Sequence, residues 1–216
     1  MTFLKATAAA VTLAACAGAA SAKTVTLEAS ADGLFGEDNL SQFVTRELEG
    51  STSSIYAGAF HFTDGLQDFI AFCIEPHVSL DLDSPFETGT NPLSEDTMVL
   101  VDQLYAVGYE GALDSASAAA AFQVALWEII AETDVGLDVN DGNHVILAPS
   151  SVADDANLLL AGLANAGPSG FTFTTLVHDG QDQITISPIP LPAGILGLLT
   201  ALAGLGALKR RRATAG

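Results

Sequence analysis

Positive charge is nearly missing from most of this chain. Between residues 23 and 192 only Lys23 and Arg46 stand against all 26 carboxylates, which leaves that stretch at −24. Such a surface excludes nucleic-acid binding, which needs cationic groups facing the phosphates. Docking on anionic lipid is disfavoured for the same reason. Solubility, tolerance of salt and attraction of divalent cations remain, and salty surroundings would screen repulsion between copies. Cysteine is equally scarce, with only Cys16 and Cys73. No second Cys and no His pair at ligand spacing accompanies Cys73, which argues against a thiolate metal site. A Cys–His hydrolase is weak on the same ground. Walker loops, nucleophile elbows and zincin motifs are missing, as are internal repeats and long low-complexity linkers.

The two ends are set aside before the fold is considered. Residues 1–5 carry one positive charge, residues 6–15 are small and apolar, and Ala20-Ser21-Ala22 offers the small side chains that signal peptidase reads. The expectation is a secretory signal over residues 1–22, removed after Ala22. Leu13-Ala14-Ala15-Cys16 also has the form of a bacterial lipobox, which would make Cys16 a lipidated N-terminus. The later cut is favoured, because the other end supplies an anchor. There, residues 193–208 are uninterruptedly apolar, and Lys209, Arg210, Arg211 and Arg212 follow at once. As a helix this run is roughly 24 Å long, short of a bilayer core of about 30 Å. The basic cluster predicts a cytoplasmic end, with everything before Pro192 outside. About 170 residues remain between the ends, enough for one domain with a real core.

Hydrophobic periodicity predicts an α+β domain, with strands at both ends and a helical segment between. Residues 23–28 alternate as a first strand, residues 42–48 offer a second, and residues 55–62 read as one strand. Asp64-Gly65 then signals a hairpin turn into a strand at 67–74. Met98, Val101, Leu104 and Tyr105 recur at helical spacing, with Ser94 as cap and Gly108 as the expected stop. Asp114 or Ser115 caps a second helix running to about Glu132. Its alanines are strong helix formers. Phe122, Leu126 and Ile129 form one stripe of it, and Gln123, Trp127 and Ile130 the next. A third helix is expected at 152–164, and strands at 170–177 and 183–187 flank an Asp179-Gly180 turn.

Once the leader is removed, Cys73 is a lone thiol in an exported chain, an uncommon state where thiols are oxidised or paired. Three readings stay open: an inert core residue, a link between chains, or another covalent bond. The last has a partner in Gln123. A Cys thiol and a Gln carboxamide condense with loss of ammonia to an internal thioester. That chemistry calls for a rigid strand, a helix and a dry pocket. Cys73 lies in an aromatic strand pattern, and Gln123 lies on an apolar helix with Trp127 one turn on, facing the same way.

Phe72-Cys73-Ile74 together with Gln123-x-Ala125-x-Trp127 resembles the paired signature motifs of bacterial surface thioester domains. The resemblance runs over roughly residues 55–187, and Phe122 stands where many members carry Thr. It implies a domain whose strands make a sandwich- or barrel-like body around the helices, over residues 23–187. It implies a Cys73–Gln123 crosslink, walled by Phe72, Phe122 and Trp127, that a target amine or hydroxyl opens. The tail carries a second resemblance. Ile189-Pro190-Leu191-Pro192-Ala193-Gly194, the apolar run and the basic cluster are similar to the VPLPA kind of PEP-CTERM sorting signal, over residues 188–216. It implies processing by an exosortase at the inner membrane of a Gram-negative bacterium, and a final place on the cell surface or in the extracellular matrix.

Weaker signals complete the expectations. Asp138 to Asn143 has the look of a calcium loop, but Pro149 stands at the twelfth position instead of Glu, and an acidic hairpin turn is the better reading. Asp81 and Asp83 fit a solvated loop, and Glu128 an ordinary helix charge. His77 is a candidate assisting base, though a plain loop histidine is the simpler reading. The sequence therefore predicts a single-use adhesive protein without cofactor or metal, and not an enzyme. A non-reactive matrix or biofilm component and a calcium-dependent binding module are the alternatives.

Overall fold

The structure is a computed structural model that describes residues 23–132 and 136–188. The expected signal with Cys16, and the sorting motif, apolar run and basic cluster from Pro190 to Arg212, lie outside the described residues. The fold is α+β. Among the described residues ten strands form two antiparallel sheets, and three α-helices pack against them. The first strands are β1 (Lys23–Val25), β2 (Glu28–Ala29), β3 (Ser41–Leu48), β4 (Ser51–Gly58), β5 (Phe60–Thr63), β6 (Asp68–Cys73) and β7 (Phe86–Thr88). Helices α1 (Glu95–Ala112) and α2 (Ala116–Ala131) follow, then β8 (His144–Ala148), α3 (Ser150–Gly162), β9 (Phe171–Val177) and β10 (Gln183–Pro188). The larger sheet has the order β1-β7-β9-β10-β6-β5-β2 and curls into a half-barrel. The smaller has the order β4-β3-β8. Among the described residues no helix is long and apolar enough to cross a membrane.

Several local signals act as their chemistry predicts. Ser94 and Ser115 cap α1 and α2 by accepting the backbone N–H of Thr97 and Ala118, which satisfies an otherwise orphaned donor at each helix start. The Asp64 carboxylate accepts the N–H groups of Leu66 and Gln67 and holds the turn between β5 and β6. The β9–β10 hairpin forms across residues 178–182.

Five expectations need correction. Residues 23–28 are not one strand: β1 ends at Val25 on one edge of the larger sheet and β2 begins at Glu28 on the other, with Leu27 buried between them. Residues 55–62 are not one strand. Gly58 ends β4 in the smaller sheet, and Phe60 begins β5 in the larger. Glycine permits the crossing, since the chain passes directly against its own backbone at Leu40 and Ser41, where a side chain at position 58 would collide. Gly108 does not stop α1, which runs on to Ala112. Its missing side chain lets the helices approach closely, since a Cβ there would lie 2.8 Å from Leu159 and 3.1 Å from Phe122. The acidic segment 138–143 is not a hairpin turn, since it joins α2 to β8. Glu128 is no solvated helix charge, since it is buried. Two strands also went unforeseen. β7 has three residues, too few for alternation to register, and β8 follows directly on the acidic turn.

The core sits between the sheets and around α2. From Ala119 to Ile129 every residue of that helix is buried, so it is enclosed on all sides and its stripes do not divide core from solvent. A helix so enclosed can place a polar side chain in a dry interior, which the site depends on.

Candidate functional site

The split of residues 51–63 between two sheets has a local consequence at Cys73. β5 pairs with β6 through Phe60 opposite Ala71. Continued by two residues, that register would set Gly58 opposite Cys73. Gly58 instead pairs with Ser41 in the other sheet. The backbone N–H and C=O of Cys73 on that side have therefore lost a strand neighbour, which buried peptide groups do not tolerate unpaired. The side chain of Gln123 takes the vacated position. Its Oε1 accepts the N–H of Cys73 at 2.9 Å, and its Nε2 donates to the Cys73 carbonyl at 2.8 Å. Both residues are fully buried. On its other side β6 stays paired with β10, which sets Gln183 opposite Cys73.

The structure thus brings Cys73 and Gln123 together, with the carboxamide docked on the backbone of the residue that carries the sulfur. The sulfur itself accepts the N–H of Glu75 at 3.4 Å. Phe72 and Phe122 lie nearby, both fully buried, their rings 4.6 Å apart. Trp127 is also buried, one turn along α2 from Gln123. Burial pushes the Cys73 thiol up to about 12, because a thiolate in a dry interior lacks solvation. Trp127, the Glu75 N–H and Arg46 act against that rise, and Glu75's charge adds to it. The Trp127 indole nitrogen makes no hydrogen bond of ordinary geometry.

His77, the candidate base, is exposed in the loop four residues after Cys73. Three residues that sequence reasoning missed lie deeper. His144, at the start of β8, is fully buried with its ring 5.7 Å from that of Trp127, and neither ring nitrogen has a hydrogen-bond partner. Burial, then the charges of Arg46 and His77, lower its pKa to about 4, so it is neutral at physiological pH. Arg46, on the inward face of β3, stacks over the Trp127 ring at 5.4 Å and donates through Nη2 to the Pro76 carbonyl. Its signal was available: period two puts Arg46 between Val44 and Leu48 on the apolar face of its strand. Glu128 lies on α2 beyond Trp127. One oxygen accepts the N–H of Asp138 at 2.8 Å and the other has no partner. Burial raises its pKa to about 7, with the Asp138 hydrogen bond opposing and three neighbouring carboxylates assisting.

The acidic turn after α2 is organised around its own groups. The Asp138 carboxylate accepts from Asn140 and from the Asn157 side chain. Glu132 accepts the backbone N–H of Asn143. Among the described residues no group of three or more His, Cys, Asp or Glu side chains is arranged to hold a metal ion. Compared with protein-family models, curated proteins and solved structures, the chain matches none.

Proposed function

We propose that this chain is an exported adhesive protein that attaches covalently to a surface or matrix polymer through a thioester between Cys73 and Gln123. The observation that carries the reading is the carboxamide of Gln123 docked on Cys73 in a fully buried position. The hydrogen bond from the Cys73 N–H to Oε1 polarises the carboxamide carbonyl, so Cys73 supplies both the nucleophile and a donor for the charge that develops on that oxygen. The sulfur attacks Cδ, the C–N bond breaks, and the thiol proton leaves with the nitrogen as ammonia. A target amine then attacks Cδ, the C–S bond breaks, and the thiol returns as an amide forms. The burial of Phe72, Phe122 and Trp127 keeps water from the bond. The reaction occurs once per molecule, so the protein is a reagent and not an enzyme. Within this reading the body is of the thioester-domain kind. The leader exports it, and the tail delivers it through an exosortase-type enzyme at the inner membrane to the cell surface or matrix.

A second reading is favoured by one observation. Gln123 bonds the backbone of Cys73 and not its sulfur, which is what a structural plug for a broken sheet would do. The protein would then be a non-reactive matrix component. Intact mass separates the two. The exported wild-type chain is expected to weigh about 17 Da less than its sequence, the mass of one ammonia, and Cys73→Ala to weigh its full value. Methylamine should raise the wild-type mass by about 31 Da and leave Cys73→Ala unchanged. A wild-type chain of full mass, with a thiol that titrates on denaturation, would establish the second reading.

A further inference from the structure

Of the two basic residues in the acidic stretch, Arg46 is set inside the protein. It is 5% exposed, in a position that alternation reserves for a core side chain. Opposite it, the pairing of β3 with β8 slips by one residue: Thr45 faces Ala148 and Arg46 faces Ile146. Such a slip re-aims side chains locally. The guanidinium lies over the Trp127 ring, and Nη2 is tied to the carbonyl of Pro76, just after the Cys73 strand. Nε and Nη1 have no hydrogen-bond partner, and no carboxylate among the described residues pairs with the group. A buried cation without an anion is costly and uncommon. In a chain with so many carboxylates, a surface partner for this charge would have been easy to supply.

We propose that Arg46 is the charge partner of the Cys73 sulfur, stabilising the negative charge that sulfur carries as the Cys73–Gln123 bond forms and as an amine opens it. The inference rests on the thioester reading. When the bond forms, sulfur loses its proton to the departing ammonia. When an amine opens the bond, sulfur leaves as thiolate and takes the amine's proton. In both steps charge gathers on sulfur before the proton settles, in an interior with little water to screen it. Arg46 acts across space without touching the reacting atoms, so it is a positioning residue. The other groups facing the site are Gln123 and Trp127 from α2, His144 from β8, and Glu75 and His77 from the segment after β6. Burial lowers the pKa of Arg46 and the sulfur's charge raises it, a coupling that agrees with the geometry.

The test compares wild type, Arg46→Lys and Arg46→Met, each secreted as the full chain, with near-UV circular dichroism as the check on folding and Arg46→Gln replacing any Met variant that fails it. Intact mass reads the fraction of chains with the bond, and methylamine between pH 7 and 9.5 reads its opening. Loss of the cation is expected to lower both the fraction and the opening rate at least tenfold, and Arg46→Lys to restore most of each. Equal fractions and rates with and without the cation would overturn the proposal while the thioester stands. A wild type of full mass would instead overturn the thioester reading. The charge pairing is then judged alone in a Gln123→Ala chain, where the ¹³Cβ signal of Cys73, assigned against Cys73→Ser, reports ionisation. A Cys73 titration midpoint about one pH unit higher in the Met variant sustains the pairing, and an unchanged midpoint ends it.

Discussion

Gln123 on one side of Cys73 and Arg46 with His144 on another treat buried polarity in opposite ways. On the α2 wall, Gln123 has both ends of its carboxamide matched to the backbone of β6. On the wall built by β3 and β8, Arg46 keeps two nitrogens unmatched and His144 keeps both of its own. The first arrangement is what stability selects, since a satisfied buried amide is neutral to favourable and an orphaned one is costly. The second is what stability alone would remove. Within the proposed reading the two answer to different demands: Gln123 closes the broken sheet until it reacts, and Arg46 and His144 would hold charge and polarity ready for the sulfur.

The sharpest way to break this comparison is to remove the matched group. In a Cys73→Ser background, which keeps the carboxamide, Gln123→Ala orphans the N–H and C=O of residue 73 together, at about 1–3 kcal/mol for each buried group. A loss of at least about 2 kcal/mol in urea unfolding is expected. A change below about 1 kcal/mol would show that the vacated strand position needs no plug.

The next test lies one turn along α2, where Glu128 offers a second unmatched oxygen. Its pKa is raised from 4.5 to about 7, so the folded state holds the proton more tightly than the unfolded chain. The stability linked to that proton is complete below about pH 4.5 and is lost as pH rises through about 7. Glu128→Gln should therefore gain about 3 kcal/mol over wild type at pH 8 and little at pH 4. Thermal unfolding of both chains across that range checks it, and a gain that does not grow with pH would contradict the shift.

The smallest effect has the opposite sign to the first. Arg46→Met replaces an unmatched buried charge with an apolar side chain of similar length, and a gain of about 1 kcal/mol is expected at pH 7. Against it stands the lost bond to Pro76, so a net loss above about 1 kcal/mol would place Arg46 with Gln123 among the structural groups.

The matched wall was legible in the sequence and the unmatched one was not. Gln123, Trp127 and Cys73 stand out because the elements that carry them are signalled locally: a helix with a serine cap, and a strand behind an Asp-Gly turn. Arg46 and His144 acquire meaning only when β3 and β8, nearly a hundred residues apart, pair with each other. Glu128 was misread for a related reason, since α2 proves buried on every side and helical periodicity cannot show that. The break at Gly58 was invisible because alternation continues through it. Only the close approach to Leu40 and Ser41, which leaves no room for a side chain at position 58, marks the crossing from one sheet into the other.

The pairing of β10 with β6 bears on how the molecule would carry force. β10 ends at Pro188 and runs antiparallel beside the strand that holds Cys73. A pull on the chain beyond Pro188, resisted by a polymer bound at Gln123, would run lengthwise along that ladder. Its hydrogen bonds would then share the load in shear and would not be unzipped one by one. In the proposed reading, a tether following β10 and a grip on α2, whose Gln123 docks on the strand beside β10, would keep the mechanical path short.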